Sequence, residues 1–267
     1  MTSPQSESPW LAPETVEVLW VSGSNAKRFL NDLISQEIED LRPGSSRRSF
    51  LLGPQGKLDF MFWVGREGDR FDLVIEGGRG DELSAALSRY LIRVDVVIDH
   101  EPADTWLVIG EWDGLDVSWG DVERRVVTGA KPDLPMGSVE GYERLRITAG
   151  EPRWGVDVDG STIPHESGLV PVAVNFDKGC FLGQELVARI DSRGANVPRH
   201  LRVLEFEGQP SGVGSLLSSG DREVGVVTSA VDGVGLAMVR REVEIGATIT
   251  AGTTTAIVKD LPPKSPR

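Results

Sequence analysis

The sequence predicts an α+β region followed by a separate all-β unit. Before Arg199, amphipathic helical patterns alternate with strand-like apolar runs, which is typical of α+β packing. From Arg199 onward, short alternating runs are separated by glycine turns, as in a small β-barrel or sandwich. The 267 residues are enough for two or three packed units, and no internal repeat is visible.

A first helix is predicted in residues 24–44. Ser24 is the expected N-cap, and Pro43 with Gly44 is expected to end the segment. Apolar residues recur at helical spacing on one face, and this face extends to Ile38. Its members are Ala26, Phe29, Leu30, Leu33, Ile34 and Ile38.

An antiparallel meander is predicted for residues 48–78. Pro54, Gln55 and Gly56 form a turn between two apolar runs, and a second turn follows at residues 65–69. A second helix is then expected over residues 81–92, with Asp81 as its cap. The apolar face of this helix comprises Leu83, Ala86, Leu87, Tyr90 and Leu91.

The segments that follow are predicted to be mostly strands. The sequence predicts strands at 94–99, 105–110, 124–129 and 142–148, the last from "YERLRIT". A short helix is expected in "GQELVARI", at residues 183–190, and it should stop near Gly194.

Composition and charge limit the possible functions. The formal net charge of -13 opposes broad binding to nucleic-acid phosphates, although a local basic site remains compatible with it. No apolar run is long enough to cross a bilayer, and the Ser/Pro-rich residues 1–14 resemble a loose tail rather than a secretory signal. We therefore expect a cytoplasmic protein without membrane association.

The chain contains one cysteine, Cys180, and three scattered histidines. One cysteine excludes an internal disulfide and any zinc or iron–sulfur site held by several thiolates of this chain. The histidines form no ligand pair at helical spacing, so no bound metal is expected. If "GQELVARI" is helical, its N-terminus and Lys178 would favour a reactive thiolate at Cys180. The alternative is a small buried residue in a tight corner, which general experience with free cysteines favours.

A basic cluster surrounds this cysteine in the sequence. It comprises Lys178, Arg189, Arg193 and Arg199. Arg189 lies four residues after Glu185, so it can form a surface ion pair along the helix. Alternatively, these cations bind the carboxylates of a ligand, since an Arg fork contacts two oxygens at once. Spacing alone does not decide between these interpretations. Trp63 and Trp154 are candidates for the wall of a pocket that accepts a flat ring, although tryptophan is more often core.

The stretch "KGCFLGQE" at 178–185, with "VARI" at 187–190 and "RGAN" at 193–196, resembles a family signature. It is similar to the pattern K-G-C-aromatic-x-G-Q-E of the YgfZ-type folate-binding proteins. These are relatives of the glycine cleavage system T protein, an aminomethyltransferase. The segments at 21–44, 51–64 and 142–169 also resemble the family, so the resemblance covers roughly residues 15–255.

The resemblance implies a ring-like, three-part fold with two interlocked α+β subdomains and a C-terminal β-barrel. On this basis we expect a tail at 1–14, a folate-binding region at 15–198 and a barrel at 199–263. The family implies tetrahydrofolate as cofactor and iron–sulfur proteins, or their assembly machinery, as partners. The candidate catalytic residues are Cys180, which lies within the signature, and Asp59, which lies next to the positions of the Asp pair of the T protein. The candidate folate-binding residues are Lys178, Gln184, Glu185, Arg189, Glu166, Arg146 and Arg193.

One departure from the family concerns the hairpin after the Gly56 turn. The T protein carries an Asp pair there, whereas this chain has Phe60 and Met61. If the segment is a regular strand, Asp59 points the same way as Met61 but lies about 6–7 Å along the strand from the expected position. Ordinary aminomethyl transfer is therefore not expected.

Three functional hypotheses follow from the resemblance and this departure. The first is a tetrahydrofolate-binding accessory protein for the assembly or repair of iron–sulfur enzymes. The second is a one-carbon transferase that uses Asp59 as acid or base. The third is a scaffold with a vestigial pocket. Within the first hypothesis, Cys180 is expected to have a local role in the site rather than in bulk stability.

Overall fold

The computed structural model describes residues 8–100 and 104–263. These residues form a five-stranded sheet, a four-stranded sheet and a closed six-stranded barrel, together with short helices. The predicted α+β region followed by a C-terminal barrel is confirmed. Most of the predicted tail, residues 1–7, lies outside the described residues. In the described part of the chain, no helix has the length and apolar character that a membrane crossing needs.

The five-stranded sheet is antiparallel and contains the predicted meander. Its spatial order is β3-β4-β5-β2-β6. The strands are β2 (Val16–Ser22), β3 (Ser46–Leu52), β4 (Leu58–Glu67), β5 (Arg70–Glu76) and β6 (Val97–Asp99). Helices α1 (Ala26–Leu33) and α2 (Gly80–Ser88) share one apolar cluster with this sheet. Alternate residues of β4, such as Phe60 and Phe62, join that cluster, while Met61 and Trp63 join the cluster on the other face.

The four-stranded sheet has the order β1-β7-β9-β8. The strands are β1 (Trp10–Leu11), β7 (Thr105–Ile109), β8 (Leu115–Asp116) and β9 (Arg124–Thr128). β7 and β9 confirm the predicted strands at 105–110 and 124–129. Strand β4 faces this sheet, because Met61 and Trp63 belong to the same apolar cluster as Leu107 and Val126.

The C-terminal barrel is closed, so its strands leave no open edge. Its order is β10-β13-β12-β11-β14-β15. The strands are β10 (Arg199–Phe206), β11 (Leu216–Ser219), β12 (Arg222–Val231), β13 (Val234–Arg240), β14 (Thr248–Ala251) and β15 (Thr254–Lys259). The interior of the barrel is a separate apolar cluster, to which strands β10, β12 and β14 contribute Leu204, Val227 and Ile249.

The predicted strand at 142–148 is wrong, because these residues belong to helix α3 (Val139–Thr148). Ser138 is the N-cap, and its Oγ accepts a hydrogen bond from the backbone N–H of Gly141 at 3.0 Å. The buried residues are Tyr142, Arg146 and Ile147, which is helical spacing rather than alternation. One face of the helix packs on β12 and β13 of the barrel. Because only this face is buried, helical spacing of the apolar residues suits the segment better than strand alternation.

Helix α1 ends at Leu33, earlier than the apolar pattern predicts. Ile34 is already extended, and it forms a bridge with Leu51 of β3, while the N–H of Ser35 donates to the carbonyl of Phe50. Ile34 and Ile38 are still buried, so the pattern identified the core residues but not the end of the helix. The predicted Ser24 cap is also wrong, since Ser24 bonds Asp95 and the N-cap is Asn25.

Helix α2 differs from its prediction at both ends. Its N-cap is Arg79 rather than Asp81, and it ends at Ser88, before Tyr90 and Leu91. Asp81 lies in the first turn, where its Oδ1 is 2.8 Å from Nδ1 of His100. A carboxylate in this position still interacts favourably with the positive end of the helix dipole.

Helix α5 (Gln184–Asp191) confirms the predicted helix after Cys180. A 3-10 turn (Pro164–Ser167) and the short helix α4 (Val170–Ala173) precede it. The N-cap of α5 is Gly183, with φ +76°, and it packs on the β3–β4 turn. A Cβ built on Gly183 would lie 2.8 Å from the carbonyl oxygen of Gly53, and one on Gly56 would lie 2.7 Å from Cβ of Leu186. The hairpin turn and the signature helix therefore meet through glycines.

Candidate functional site

The candidate site is a cavity of about 620 Å³ between the two sheets. Its walls come from the chain after α1, the start of β3, the loop after β8 and the residues around α4. This volume lies within the range of roughly 300–1,000 Å³ that is typical of small-molecule pockets. The lining residues are Gln36, Glu37, Asp40, Leu41, Arg42, Ser45, Ser46, Arg47, Arg48, Trp63, Asp116, Ser118, Trp119, Gly120, Val172 and Asn175.

One wall of the cavity consists of two tryptophans and a buried arginine. The Trp63 and Trp119 rings meet edge to face, with centroids 6.0 Å apart. The guanidinium carbon of Arg48 lies 5.2 Å from the Trp63 centroid and 5.6 Å from the Trp119 centroid. Both distances are within the range of a cation–π contact. The wall is therefore aromatic and positively charged, with the two ring planes nearly perpendicular.

This wall carries two hydrogen-bond donors that are not used within the described residues. They are Nε of Arg48 and Nε1 of Trp63, and both are buried without a partner there. A buried donor without an acceptor costs about 1–3 kcal/mol. Both atoms are covered by the surrounding side chains, so a ligand with acceptor atoms would reach them and remove that cost only when the wall side chains shift.

The entrance of the cavity carries charges of both signs. Arg47 donates two hydrogen bonds to the carboxylate of Asp40, at 2.6 and 3.0 Å. The hydrogen bond from Arg47 holds the pKa of Asp40 below its ordinary value. Arg42 is exposed at the same entrance. An anionic group of a ligand can therefore reach Arg42 without full desolvation, whereas the Arg47 guanidinium is already paired with Asp40.

The cationic wall rests on a buried carboxylate, Glu151. Its Oε1 accepts from Nη1 of Arg48 at 3.2 Å and from Nη2 of Arg124 at 3.0 Å, and its Oε2 accepts from Nη1 of Arg124 at 2.7 Å. Burial acts to raise the pKa of Glu151, but attraction to Arg124 and Arg48 outweighs it and leaves that pKa below its ordinary value. The carboxylate stays ionised and holds Arg48 against the rings.

None of the nine residues predicted as catalytic or folate-binding is among the residues that line this cavity. Their role in binding stays a prediction, and the structure places them in three groups. Lys178, Glu166 and Arg146 are buried in internal contacts. Gln184, Glu185, Arg189 and Arg193 lie on or just after α5. Cys180 and Asp59 lie in the loop before α5 and in β4.

Lys178 is buried beneath the signature loop and reaches the end of helix α1. Its Nζ donates to the carbonyl oxygens of Asn31, Ile34 and Gln36 at 2.7, 2.9 and 2.8 Å. These carbonyls belong to the end of a helix and the chain after it, where intrahelical donors are missing. Lys178 therefore acts as a long-range C-cap of α1.

Arg146 and Glu166 tie the barrel to the rest of the molecule. Nη1 of Arg146 donates to Asp157 at 2.7 Å, and Nη2 donates to Oγ of Ser229 in β12 at 2.8 Å. Glu166 accepts from Nε of Arg199 in β10 at 3.0 Å. Both side chains are buried and hydrogen-bonded, so they are fully engaged within the described structure.

The signature helix leaves its polar residues near the surface. Arg189 pairs with Glu185 one turn away, which agrees with the surface ion pair considered from the spacing. Arg193 is exposed and Gln184 is half-buried. Cys180 is exposed, so the interpretation of the thiol as a buried packing residue is wrong.

Asp59 lies at a β-bulge, which the assumption of a regular strand did not anticipate. Leu51 pairs with Phe60 and Leu52 pairs with Leu58, so Asp59 is the extra residue of β4. Leu58 and Met61 consequently belong to the same apolar cluster, although they are three positions apart. The direction of the Asp59 side chain therefore does not follow from alternation with Met61.

Of the three residues that form the aromatic wall, the sequence predicted one, Trp63, as a pocket residue. Trp63 was named as a pocket residue and lines the cavity, whereas Trp154 lies outside the lining and is covered by Arg79 at 4.4 Å. Arg48 and Trp119 were missed. The sequence does contain an indication of the role of Arg48, because this charged residue lies close to the apolar run 50–52. A charged residue in such a position is either exposed to solvent or paired with a specific partner.

Known proteins resemble this chain both in fold and in the region that contains the signature. The family model described as the CAF17 C-terminal β-barrel domain matches residues 168–264. A mitochondrial iron–sulfur cluster assembly factor IBA57 homolog from Cryptococcus neoformans is 33% identical over 126 residues, which are 43% of this chain and 33% of that protein. The tRNA-modifying protein YgfZ from Klebsiella pneumoniae is 30% identical over 131 residues, which are 47% of this chain and 40% of that protein. Each of these two matches thus covers less than half of the length of the relative.

A solved structure extends the similarity to nearly the whole chain. The aminomethyltransferase T of the glycine cleavage system from Bartonella henselae superposes with a TM-score of 0.76. The superposition covers 94% of this chain and 85% of that one, at 19% sequence identity. At this identity the likeness establishes the fold, while activity has to be argued from the site.

Proposed function

The chain is a YgfZ-type protein related in fold to the glycine cleavage system T protein, and on this premise we propose that it binds tetrahydrofolate and assists the assembly or repair of iron–sulfur enzymes. The folate would lie in the 620 Å³ cavity. The observation that carries the proposal is the wall of Trp63, Trp119 and Arg48, with two buried donors that lack an acceptor in the described residues.

The residues of the cavity fit the chemistry of a folate. A pterin is flat and bears ring nitrogens and a carbonyl, which suit an aromatic wall with free N–H donors. The glutamate tail carries carboxylates, which suit the exposed guanidinium group of Arg42 at the entrance. The cofactor would supply a one-carbon carrier, while these side chains bind and orient it.

The iron–sulfur part of the proposal rests on the relatives and on the cysteine content. The Cryptococcus relative is named as an iron–sulfur cluster assembly factor. With one cysteine, this chain has too few thiolates to hold a cluster alone, so it would act on other proteins rather than carry the cluster itself.

The folate part is tested by isothermal titration calorimetry with tetrahydrofolate under anaerobic conditions. We expect saturable binding to the wild type. Trp63→Phe keeps an aromatic side chain but replaces the indole with a smaller ring and removes the unpaired N–H, so it should weaken binding by at least about three- to tenfold. Trp112→Phe is the matched control, because Trp112 is 37% exposed and lies outside the cavity lining. Absence of saturable binding to folded wild-type protein would refute the folate part.

The iron–sulfur part is tested in a strain that lacks the gene. We expect reduced activity of iron–sulfur enzymes under oxidative stress, with recovery on expression of the wild type and weaker recovery with the Trp63→Phe variant. Unchanged cluster-enzyme activity in the deletion strain would count against this part and leave the binding experiment unaffected.

The one-carbon transferase hypothesis receives no support from the position of Asp59. This residue is the bulge residue of β4 and does not line the cavity. We therefore favour binding without aminomethyl transfer. An assay for methylenetetrahydrofolate formation from aminomethyl donors separates the two, since turnover by the wild type that is lost in Asp59→Asn would support the transferase.

A further inference from the structure

The contacts of Lys178 connect the signature loop with the cavity wall. Besides the three carbonyl oxygens described above, Nζ of Lys178 lies 3.2 Å from Oδ1 of Asn31, which makes four acceptors around one ammonium group. The same Asn31 Oδ1 accepts from the N–H of Ile38 at 3.1 Å. One side chain of the loop thus organises the chain from Asn31 to Ile38.

Part of that organised segment forms the cavity wall. Gln36 and Glu37 line the cavity, and the carbonyl of Gln36 is one of the acceptors of Lys178. Asn175 lines the cavity on the other side, and its Oδ1 accepts from the backbone N–H of Lys178 at 2.9 Å. Lys178 is therefore bonded through its side chain to one wall residue and through its backbone to another.

The number of donors on Lys178 depends on its charge. An ammonium group has three N–H donors, whereas a neutral amine has two donors and a lone pair that would face a carbonyl oxygen. Burial lowers the pKa of Lys178 to about 8, although the carboxylates of Glu37, Asp32 and Glu39 act in the opposite direction. At neutral pH the three N–H groups of the ammonium form bond the four acceptors, with one N–H shared between two of them, and above pH 8 these bonds weaken.

We propose that Lys178 is a positioning residue that couples the signature loop, with its exposed Cys180, to ligand binding in the cavity by holding the Gln36 wall in place. This coupling rests on the proposed folate site, and it would let the state of the signature loop regulate binding at that site. Because coupling between two sites is reciprocal, a ligand that favours the ordered wall must also order the loop that carries Lys178 and Cys180.

Cys180 provides a direct readout of this coupling. It is exposed, and it is the only cysteine in the sequence, so N-ethylmaleimide modification followed by mass spectrometry reports on the loop alone. Saturating tetrahydrofolate should slow the labelling of the wild type severalfold. A residue that only supported the fold would not make labelling depend on the ligand.

The variant that tests the proposal is Lys178→Met, which keeps an unbranched side chain that is one atom shorter and removes the donors. We expect tetrahydrofolate affinity about tenfold weaker than in the wild type, and a labelling rate that no longer responds to the ligand. Lys27→Met is the matched control, since Lys27 lies on the exposed face of α1, the helix that Lys178 caps. The control should bind and label like the wild type.

The wild type by itself provides a second test, which does not depend on the folding of a variant. Between pH 7 and pH 9 the protonated fraction of a group with a pKa of about 8 falls from about nine tenths to about one tenth. Tetrahydrofolate affinity should fall severalfold over this interval, and the protection of Cys180 by the ligand should fall with it, measured as a ratio of rates at each pH.

The outcomes separate the inference from the function on which it rests. If folded wild type shows no saturable binding, the folate site and the coupling both fail. If the wild type binds but Lys178→Met retains its affinity and ligand protection, the coupling alone is refuted. If Lys178→Met does not fold, the pH series decides, and binding or protection that stays constant from pH 7 to pH 9 refutes the coupling.

Discussion

At the scale of single residues, the site depends on charges that are buried but paired. Glu151 is 2% exposed and bonds Arg124 and Arg48, both of which are also buried. Desolvation of three charged groups is costly, and only the mutual hydrogen bonds offset it. The arrangement fixes the Arg48 guanidinium against the Trp63 and Trp119 rings, so the cationic wall of the cavity is preorganised before any ligand binds.

The first residue-scale prediction concerns Glu151→Gln. The amide removes the negative charge and leaves Arg48 and Arg124 buried without a counter-ion. We expect the free energy of unfolding to fall by about 3–5 kcal/mol, measured by urea denaturation. Glu140→Gln is the control, since Glu140 is exposed in the first turn of α3 and should cost less than about 1 kcal/mol. A loss in Glu151→Gln no larger than in the control would contradict this role.

The pKa of Glu151 also predicts how stability depends on pH. Its folded pKa lies below the ordinary value of 4.5, so near that pH the folded protein binds fewer protons than the unfolded chain. The stabilisation is fully present above pH 4.5 and is lost as pH falls through the folded pKa. Urea denaturation from pH 6 to pH 3 should show a smaller decrease in stability for Glu151→Gln than for the wild type.

At the scale of elements, two sequence motifs that are distant in the chain form one structural corner. The turn of the β3–β4 hairpin and the N-terminus of α5 approach so closely that glycine is required on both sides. Gly183 has φ +76°, and a Cβ built on it would lie against Leu52 and Gly53. This packing explains in physical terms why a glycine precedes Gln184 and why another ends the hairpin turn.

The element-scale prediction compares two glycines with nearly the same positive φ. In Gly183→Ala, the new Cβ would lie 2.8 Å from both Gly53 O and Leu52 Cβ, so we expect a loss of about 2–4 kcal/mol in unfolding free energy. Gly194 has φ +79° with nothing within 4 Å of a Cβ, and Gly194→Ala should cost only about 1–2 kcal/mol. Equal losses in thermal or urea unfolding would show that the close approach does not matter.

At the scale of the whole molecule, hydrogen bonds from the barrel to a buried ion pair join the barrel to the α+β region. Arg146 of α3 donates hydrogen bonds to Glu143 and Asp157 in the α+β region and to Ser229 in β12 of the barrel. Asp157 also accepts a hydrogen bond from Thr228 of β12. These contacts connect a helix, a loop and the barrel in one network. Cooperative unfolding of the two regions is the expected consequence, because their separation would break the buried hydrogen bonds between this ion pair and the hydroxyls of Ser229 and Thr228.

The whole-molecule prediction tests this connection with Arg146→Met. Loss of the guanidinium leaves the buried Asp157 without its cation, so unfolding free energy should fall by about 3–5 kcal/mol. Arg144→Met is the control, because Arg144 pairs with Asp232 at the surface and should cost less than about 1 kcal/mol. If Arg146→Met unfolded with the stability and the denaturant slope of the wild type, the network would not couple the regions.

The sequence by itself determined the elements whose signals are local. Turn residues such as Gly56 and alternating runs after Arg199 predicted the meander and the barrel, because turn geometry and alternation depend on near neighbours. The signature around Lys178 predicted the family by resemblance. In α1, the apolar spacing identified the buried residues up to Ile38 correctly.

The tertiary structure alone decided where the helices end and which residues meet in the cavity. Helix α1 stops at Leu33 because Lys178, far away in the sequence, bonds the carbonyls of Asn31 and Ile34 and the next residues pair with β3. Residues 142–148 are helical because one face packs on the barrel. The wall of Arg48, Trp63 and Trp119 joins different elements, and no local pattern specifies contacts between side chains that only folding brings together.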